Sequence, residues 1–402
     1  MNSSKSKIFD VIIVGAGPAG GQCARNLARA GKKVLLIERS KTFEESNFSS
    51  AGMMLEIIEK FNLPESVIGS YWNRFLIESS TRNYEWSSIE NKGVVLDFAR
   101  LKQFLADECR AHGGEVLMGH RYLRKVQNKS TVSIFVKNTF DNQELEFEAK
   151  LVIDATGPAR KVMFDEGEKE PEMTVASAIE YLIEVPQDVY DKNKKTLIFF
   201  MGSKWADEGY SWIFPMENNM LKVGSGKVFF EKKKSTSSKI LTEKIIKEYL
   251  GLDEYKLLDS HGGVYRYSMG LKDVFFKNNV LAIGDAVSTV NPLGGEGIKF
   301  AMENADLATP FILKYLKNGK NVFPKFRKAF RRKYLFKWFF CETVAKRVYN
   351  TYDDAKLDLR LGQHHANISF DDFLDILFRF KFKKQIPRIL WNLIKGKLKG
   401  NK

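Results

Sequence analysis

Residues 9–20 read FDVIIVGAGPAG. Phe9–Val14 is an apolar run of strand length, and it feeds directly into G-x-G-x-x-G at Gly15, Gly17 and Gly20. Gln22–Ala30 then places Cys23, Leu27 and Ala30 on one side of a helix. Gly31 stops that helix, and Lys33–Ile37 is a second strand ending at Glu38-Arg39. Each glycine has a separate reason. Gly15 permits the tight turn, Gly17 lets backbone approach a pyrophosphate past Ala16, and Gly20 lets helix and strand pack closely. Glu38 lies 23 residues after Gly15, where such units carry the acid that binds an adenosine ribose. The expected fold is α/β, with a Rossmann-type dinucleotide-binding domain.

A second stretch supports this. Residues 280–305 read VLAIGDAVSTVNPLGGEGIKFAMENA. The apolar run Val280–Ile283 predicts a strand closed by Gly284-Asp285. A glycine turn follows at Asn291–Gly297, and Ile298, Ala301, Met302 and Ala305 recur at helical spacing. A helix that begins at glycines offers bare N–H groups to a ligand. A carboxylate just before them suits sugar hydroxyls. Two nucleotide-holding turns so far apart in sequence fit one extended cofactor. A third strand, Leu151–Ile153, ends in Asp154-Ala155-Thr156-Gly157, a weaker signal of the same kind. No second G-x-G-x-x-G unit occurs, so one stably bound dinucleotide is expected.

The chain has 402 residues, 44% of them hydrophobic, enough for more than one domain with full cores. No apolar run reaches the roughly 18 residues that span a bilayer, and MNSSKSKIFD carries no apolar signal segment. Cys23, Cys109 and Cys341 make no metal pattern, suit a reducing cytoplasm, and are read as packing residues. No metal site is expected. The formal charge is +15, and residues 321–402 hold 20 Lys and Arg against 7 Asp and Glu. A basic tail implies an anionic membrane, an acidic protein or a nucleic acid. No nucleic-acid fold accompanies the charge, so no nucleic-acid partner is expected.

The remaining segments divide the chain. Ser49–Gly52 is a small-residue loop followed by a helical pattern from Met54, and Thr81–Val95 reads as strands. Leu96–Gly113 reads as a helix with Arg100 in its first turn. Val116–Met118, Tyr122–Val126, Val132–Val136 and Leu145–Phe147 predict an antiparallel meander. Residues 173–267 are strand-rich, with a charged loop at Lys227–Lys239 and a helix near Glu243–Leu250. Tyr210, Trp212 and Phe214 share one strand face there, as core or as an aromatic wall for an apolar substrate. The domains expected are a dinucleotide-binding part at 1–160 with a substrate-side insertion near 62–95, and a strand-rich substrate domain at 161–269. The second part of the dinucleotide domain follows at 270–320, then a basic helical region at 321–402. In that last region Phe326, Phe330, Tyr334, Phe336 and Trp338–Phe340 mix with cations. Asp371–Phe382 has an apolar face, and Gln385–Gly400 is a basic helix with an apolar face and Trp391, the pattern of an interfacial membrane helix.

Together the Gly15–Gly20 turn, Glu38, Arg100, Asp154–Gly157 and Gly284-Asp285 resemble the FAD-binding fold of the phenol-hydroxylase type. Two stretches are similar to the geranylgeranyl reductase family. One is Tyr210-Ser211-Trp212-Ile213-Phe214-Pro215, its Y-x-W-x-F-P signature, with LKVGSGKV at Leu221–Val228. The other is NPLGGEGIKFA at Asn291–Ala301. The resemblance implies FAD pyrophosphate on Gly15, Ala16, Gly17 and Gly20, ribose on Glu38 with Arg39 beside it, and further FAD contacts from Arg100, Gly157, Gly284 and Asp285. It implies a flavin ring against Pro292, Gly294, Gly295, Gly297 and Ile298. It implies a prenyl tunnel lined by Gly52, Tyr210, Trp212, Phe214 and Pro215. Many members place a Cys before a Gly-Gly in the loop matching Ser49–Gly52, and none is present here. The implied activity is hydrogenation of isolated prenyl double bonds on a lipid, quinone or diphosphate. Flavin N5 supplies hydride, with electrons from NADPH or reduced ferredoxin, and no side chain is assigned as proton donor. The alternatives are a lycopene-type cyclase with non-redox FAD, a flavin monooxygenase or halogenase, and a non-catalytic membrane-binding module. The expected location is cytoplasmic, peripherally associated with the membrane.

Overall fold

The structure is a computed structural model that describes residues 8–47, 49–206, 208–229, 236–268, 272–349 and 353–381. Its first sheet has a parallel core. Ile8–Val14 lies between Glu144–Asp154 and Val34–Ile37, with Val280–Ala282 beyond the former and Glu115–Leu117 beyond the latter. These strands are buried on both sides and accordingly read as unbroken apolar runs. The register sets Val14 beside Ile37 and Asp154, and Asp154 beside Ala282. The turns at Gly15, Glu38, Ala155 and Gly284 therefore share one sheet edge, the carboxyl ends where such folds take ligands. Helix Pro18–Arg29 starts with proline at its first turn, after Gly17. It packs against Phe98–Ala111 and Ile298–Asn318.

The second sheet runs Lys256–Tyr267, Thr174–Glu184, Met220–Phe229, Gly209–Pro215, Thr196–Phe200, Arg74–Glu78 and Asn83–Ser87. Its last two strands come from the 62–95 stretch. A third, small sheet joins Gly52–Met54, Gly93–Leu96 and Ile68–Trp72. Helix Phe323–Tyr349 then crosses back over the first domain. Its Phe326, Phe330, Tyr334 and Trp338 recur at four-residue spacing and are buried against Phe275 and Phe300.

Several sequence expectations change. The helical pattern from Met54 is a strand followed by the short helix Glu56–Lys60, because Met53 pairs across to Val94. Val116–Met118 does not enter a meander; Glu115–Leu117 pairs in parallel with Val34–Ile37. Leu145–Phe147 and Leu151–Ile153 belong to one strand, antiparallel to Val132–Asn138 in its first half and parallel to Ile8–Val14. The helix near Glu243 begins at Ser238 and closes as a wider turn at Ile245–Tyr249. Phe326, Phe330, Tyr334 and Trp338 are core residues, whereas Phe336 and Phe339 face outward. Gln385–Gly400 and residues 230–235 of the charged loop lie outside the described residues. All three cysteines are buried, and burial raises each thiol pKa.

Candidate active site

At the shared sheet edge the glycines do different jobs. Gly15 has φ +102°, and a Cβ there would lie 2.4 Å from the Ala155 carbonyl oxygen. A Cβ on Gly20 would overlap the Gly15 carbonyl at 1.9 Å, so this glycine sets the close packing of helix on strand. Gly17 differs. Its φ is an ordinary −68°, and a Cβ there would meet no protein atom within 4 Å. Gly157 also faces open space. These empty directions beside backbone fit an elongated phosphate-bearing group. Gly284 serves packing instead: its Cβ would press on Ala19 at 2.6 Å, and its amide donates to Asn304 Oδ1.

Glu38 turns one carboxylate oxygen back to the Ala16 amide at 2.9 Å and the other to the Ser40 amide at 3.0 Å. The Ala16 amide is thus engaged by protein, and Glu38 holds its place at the edge with lone pairs to spare. Arg39 is exposed. Arg100 pairs with Glu217 and Asp97 at a separate polar cleft that also contains Asn47, Glu180, Lys222 and His261. Asp285 accepts from Thr289 Oγ1 at 2.7 Å and lies against Gly297 at the start of helix Ile298–Asn318. Burial raises its pKa, opposed by Thr289 and Arg160.

The glycine turn forms one wall of an apolar cavity of about 280 Å³. Pro292, Gly294, Gly295, Gly297 and Ile298 line that wall, and Gly52 and the second sheet line the rest. Strand alternation explains the sheet's contribution. Tyr210, Trp212 and Phe214 stand opposite Gly226, Gly224 and Lys222. Phe199 and Ile77 continue the Trp212 row, and Leu197 and Phe75 continue the Phe214 row. The indole of Trp212 lies flat over Gly224, where a Cβ would come within 2.3 Å of it, and its Nε1 donates to Glu180 Oε2 at 2.8 Å. Pro215 is absent from the cavity wall; it is buried, and its carbonyl accepts from Ser70.

Several residues at the site carried no sequence signal read above. Glu180 is buried behind Trp212, and burial raises its pKa against Lys222 and the indole. Lys222 is buried too, its pKa lowered chiefly by burial. Its ammonium donates to the Ser49 carbonyl at 2.7 Å, beneath the small-residue loop. An apolar strand pattern hides both. Inward positions are recognised as inward, and a charge there reads as a break in the pattern until its partner is seen. Phe373, Leu377 and Phe378 reach the cavity from the C-terminal region, as does Tyr349, whose hydroxyl donates to the Leu293 carbonyl at 2.6 Å.

A family model described as FAD binding domain matches residues 9–321. The digeranylgeranylglycerophospholipid reductase of Haloferax volcanii is 31% identical over 78% of this chain and 77% of its own length. The geranylgeranyl diphosphate reductase of Rhodobacter capsulatus is 24% identical over 80% and 79%. Among solved structures, a geranylgeranyl bacteriochlorophyll reductase-like protein from Thermoplasma acidophilum superposes with a TM-score of 0.83 at 21% identity, covering 97% of this chain and 99% of its own. A p-nitrophenol 4-monooxygenase from Pseudomonas putida gives 0.73 at 16% identity, covering 93% and 98%. The open phosphate-sized edge and the apolar cavity thus sit in a chain that belongs to the geranylgeranyl reductase family of FAD-dependent oxidoreductases.

Proposed function

We propose that this enzyme hydrogenates isolated double bonds of a geranylgeranyl-type chain carried by a polar lipid or diphosphate. The observation that carries the reading is the apolar cavity itself, aromatic on the sheet side and closed by the glycine turn on the other. FAD supplies hydride when bound. Gly15, Gly17, Gly20 and Gly157 would hold its pyrophosphate, Glu38 the adenosine ribose and Asp285 the ribityl chain. Pro292, Gly294, Gly295 and Gly297 would hold the ring, with Arg100 at the neighbouring cleft. Tyr210, Trp212, Phe214 and Gly52 hold the chain against it. The walls exclude water, and Glu180 fixes the indole that carries much of the contact. Names of relatives that act on geranylgeranyl compounds support the substrate class. The test is mass spectrometry of geranylgeranyl lipids, quinones and diphosphates after incubation with the dithionite-reduced protein. The reading expects a gain of two hydrogens per bond reduced; products of unchanged mass or with added oxygen would overturn it.

The electron donor binds transiently in this reading. An acidic ferredoxin would be steered by the basic surface, so its turnover should fall as salt rises. Turnover insensitive to salt, with NADPH held tightly, would refute that donor. A prenyl chain resides in a bilayer, since exposing it to water costs about 0.8 kcal/mol per CH₂. We therefore read the enzyme as peripheral. Phe336 and Phe339 protrude from helix Phe323–Tyr349, whose outer face also carries Lys325, Lys328 and Arg332. No helix among the described residues is long and apolar enough to cross a membrane.

A further inference from the structure

The glycine turn is held from outside by two phenols. Tyr349, at the end of helix Phe323–Tyr349, donates to the Leu293 carbonyl at 2.6 Å. Tyr210, on the second sheet, donates to the Gly294 carbonyl at 2.6 Å. Both rings face the cavity, with centroids 6.0 Å apart. Inside the turn, the Gly295 amide donates to the Asn291 carbonyl and the Leu293 amide to Asn291 Oδ1. Among the described residues, the amides of Gly294, Glu296 and Gly297 donate to no protein acceptor.

A trans peptide is planar, with its N–H antiparallel to its C=O. A hydroxyl that draws the Leu293 carbonyl toward Tyr349 therefore aims the Gly294 amide the opposite way. The Tyr210 bond does the same for the next peptide, whose amide closes the turn onto Asn291. We infer that Tyr349 is a positioning residue for the flavin. From a helix beyond the matched domain, it fixes the direction of the Gly294 amide, which would donate to the ring when FAD is bound, with Tyr210 as the second anchor. The inference rests on the ring placement proposed above. An amide aimed at developing negative charge favours the reduced ring over the oxidised one. Loss of the anchor should thus lower the preference for the reduced form more than it lowers affinity as such.

The experiment titrates apoprotein with oxidised FAD and measures the midpoint potential of the reconstituted enzyme. In Tyr349→Phe, the ratio of reduced to oxidised FAD affinity should fall about tenfold, which is about 30 mV for a two-electron couple. Oxidised FAD should bind nearly as in wild type. Tyr334→Phe removes a hydroxyl from the same helix that bonds Glu303 rather than the turn, and should leave the ratio unchanged. An unchanged potential in Tyr349→Phe would overturn the inference, as would an equal shift in Tyr334→Phe. A Gly294→Ala protein that holds FAD as tightly as wild type would instead overturn the ring placement.

Discussion

Gly17 separates folding from cofactor binding. Its backbone is unstrained and its missing side chain would fall in open space. Gly15 and Gly20, in contrast, are required by the protein's own packing. A Gly17→Ala substitution should therefore leave folding nearly untouched, with thermal stability changed by less than about 1 kcal/mol in either direction. It should still lose FAD, because the methyl occupies the approach to the pyrophosphate. Circular dichroism with flavin quantification checks both halves. A folded Gly17→Ala protein with stoichiometric flavin would remove this turn from the site. Gly20→Ala should fail by the other route, by unfolding.

At the scale of elements, the helices around the site are tied at Glu303. This buried carboxylate on Ile298–Asn318 accepts from Lys60, from Lys333 at 2.8 Å and from Tyr334, so it joins three segments. Burial raises its pKa, but the three donors outweigh that and bring it down to about 2. A lowered folded pKa means that the charged form stabilises the fold. That contribution is complete above the ordinary carboxylate range, near 4.3, and is lost as pH falls toward 2. Glu303→Gln should lower stability at pH 7 by roughly 3 kcal/mol, and the gap to wild type should close as pH drops from 5 to 2. A gap independent of pH would mean a packing role only. Glu296 in the glycine turn has the opposite sign: burial lifts it to about 7. Its ionisation therefore weakens the fold as pH climbs from about 4 to 7.

The fold is legible in the sequence where a segment carries its own turn and helix signals. The strand–glycine–helix units at Phe9–Gly20 and Val280–Ala305 each carry their own punctuation, and the register then brings their ends to one edge. The alternation of Tyr210, Trp212 and Phe214 likewise gave a true shared face. What stayed hidden depends on partners far along the chain. Met54 entered a strand because Val94 and Gly93 offer it a ladder 40 residues away. Tyr349 looks like any aromatic on a basic helix until the helix crosses the turn. Phe326, Phe330, Tyr334 and Trp338 mix with cations in the sequence, yet their four-residue spacing puts them in the core. Pro215 follows the aromatic wall in sequence, but its carbonyl is turned to Ser70.

On the scale of the whole molecule, charge and exposed aromatics coincide. The formal charge is +15, and Phe336 and Phe339 are 60% and 54% exposed on a cationic helix. The end of the same helix reaches the cavity wall through Val348 and Tyr349. A bilayer met by this face would touch the same helix whose end lines the cavity. Each Lys or Arg near an anionic surface contributes on the order of 1 kcal/mol. Full-length protein should co-sediment with anionic vesicles, less so in high salt. Phe336→Ser with Phe339→Ser should weaken sedimentation while FAD content stays intact, as should truncation before Gln385. Undiminished sedimentation of both variants would place the contact on another surface.

In the proposed reaction, electrons pass from the bound flavin to an isolated prenyl double bond. Anaerobic single turnover tests it most directly. The enzyme is reduced stoichiometrically, a geranylgeranyl lipid in detergent is added without oxygen, and flavin absorbance is followed while the lipid is weighed by mass spectrometry. The oxidised flavin spectrum should return without oxygen, with one double bond lost per flavin reoxidised. A flavin that stays reduced until oxygen is admitted, or a lipid whose mass does not change, would contradict it.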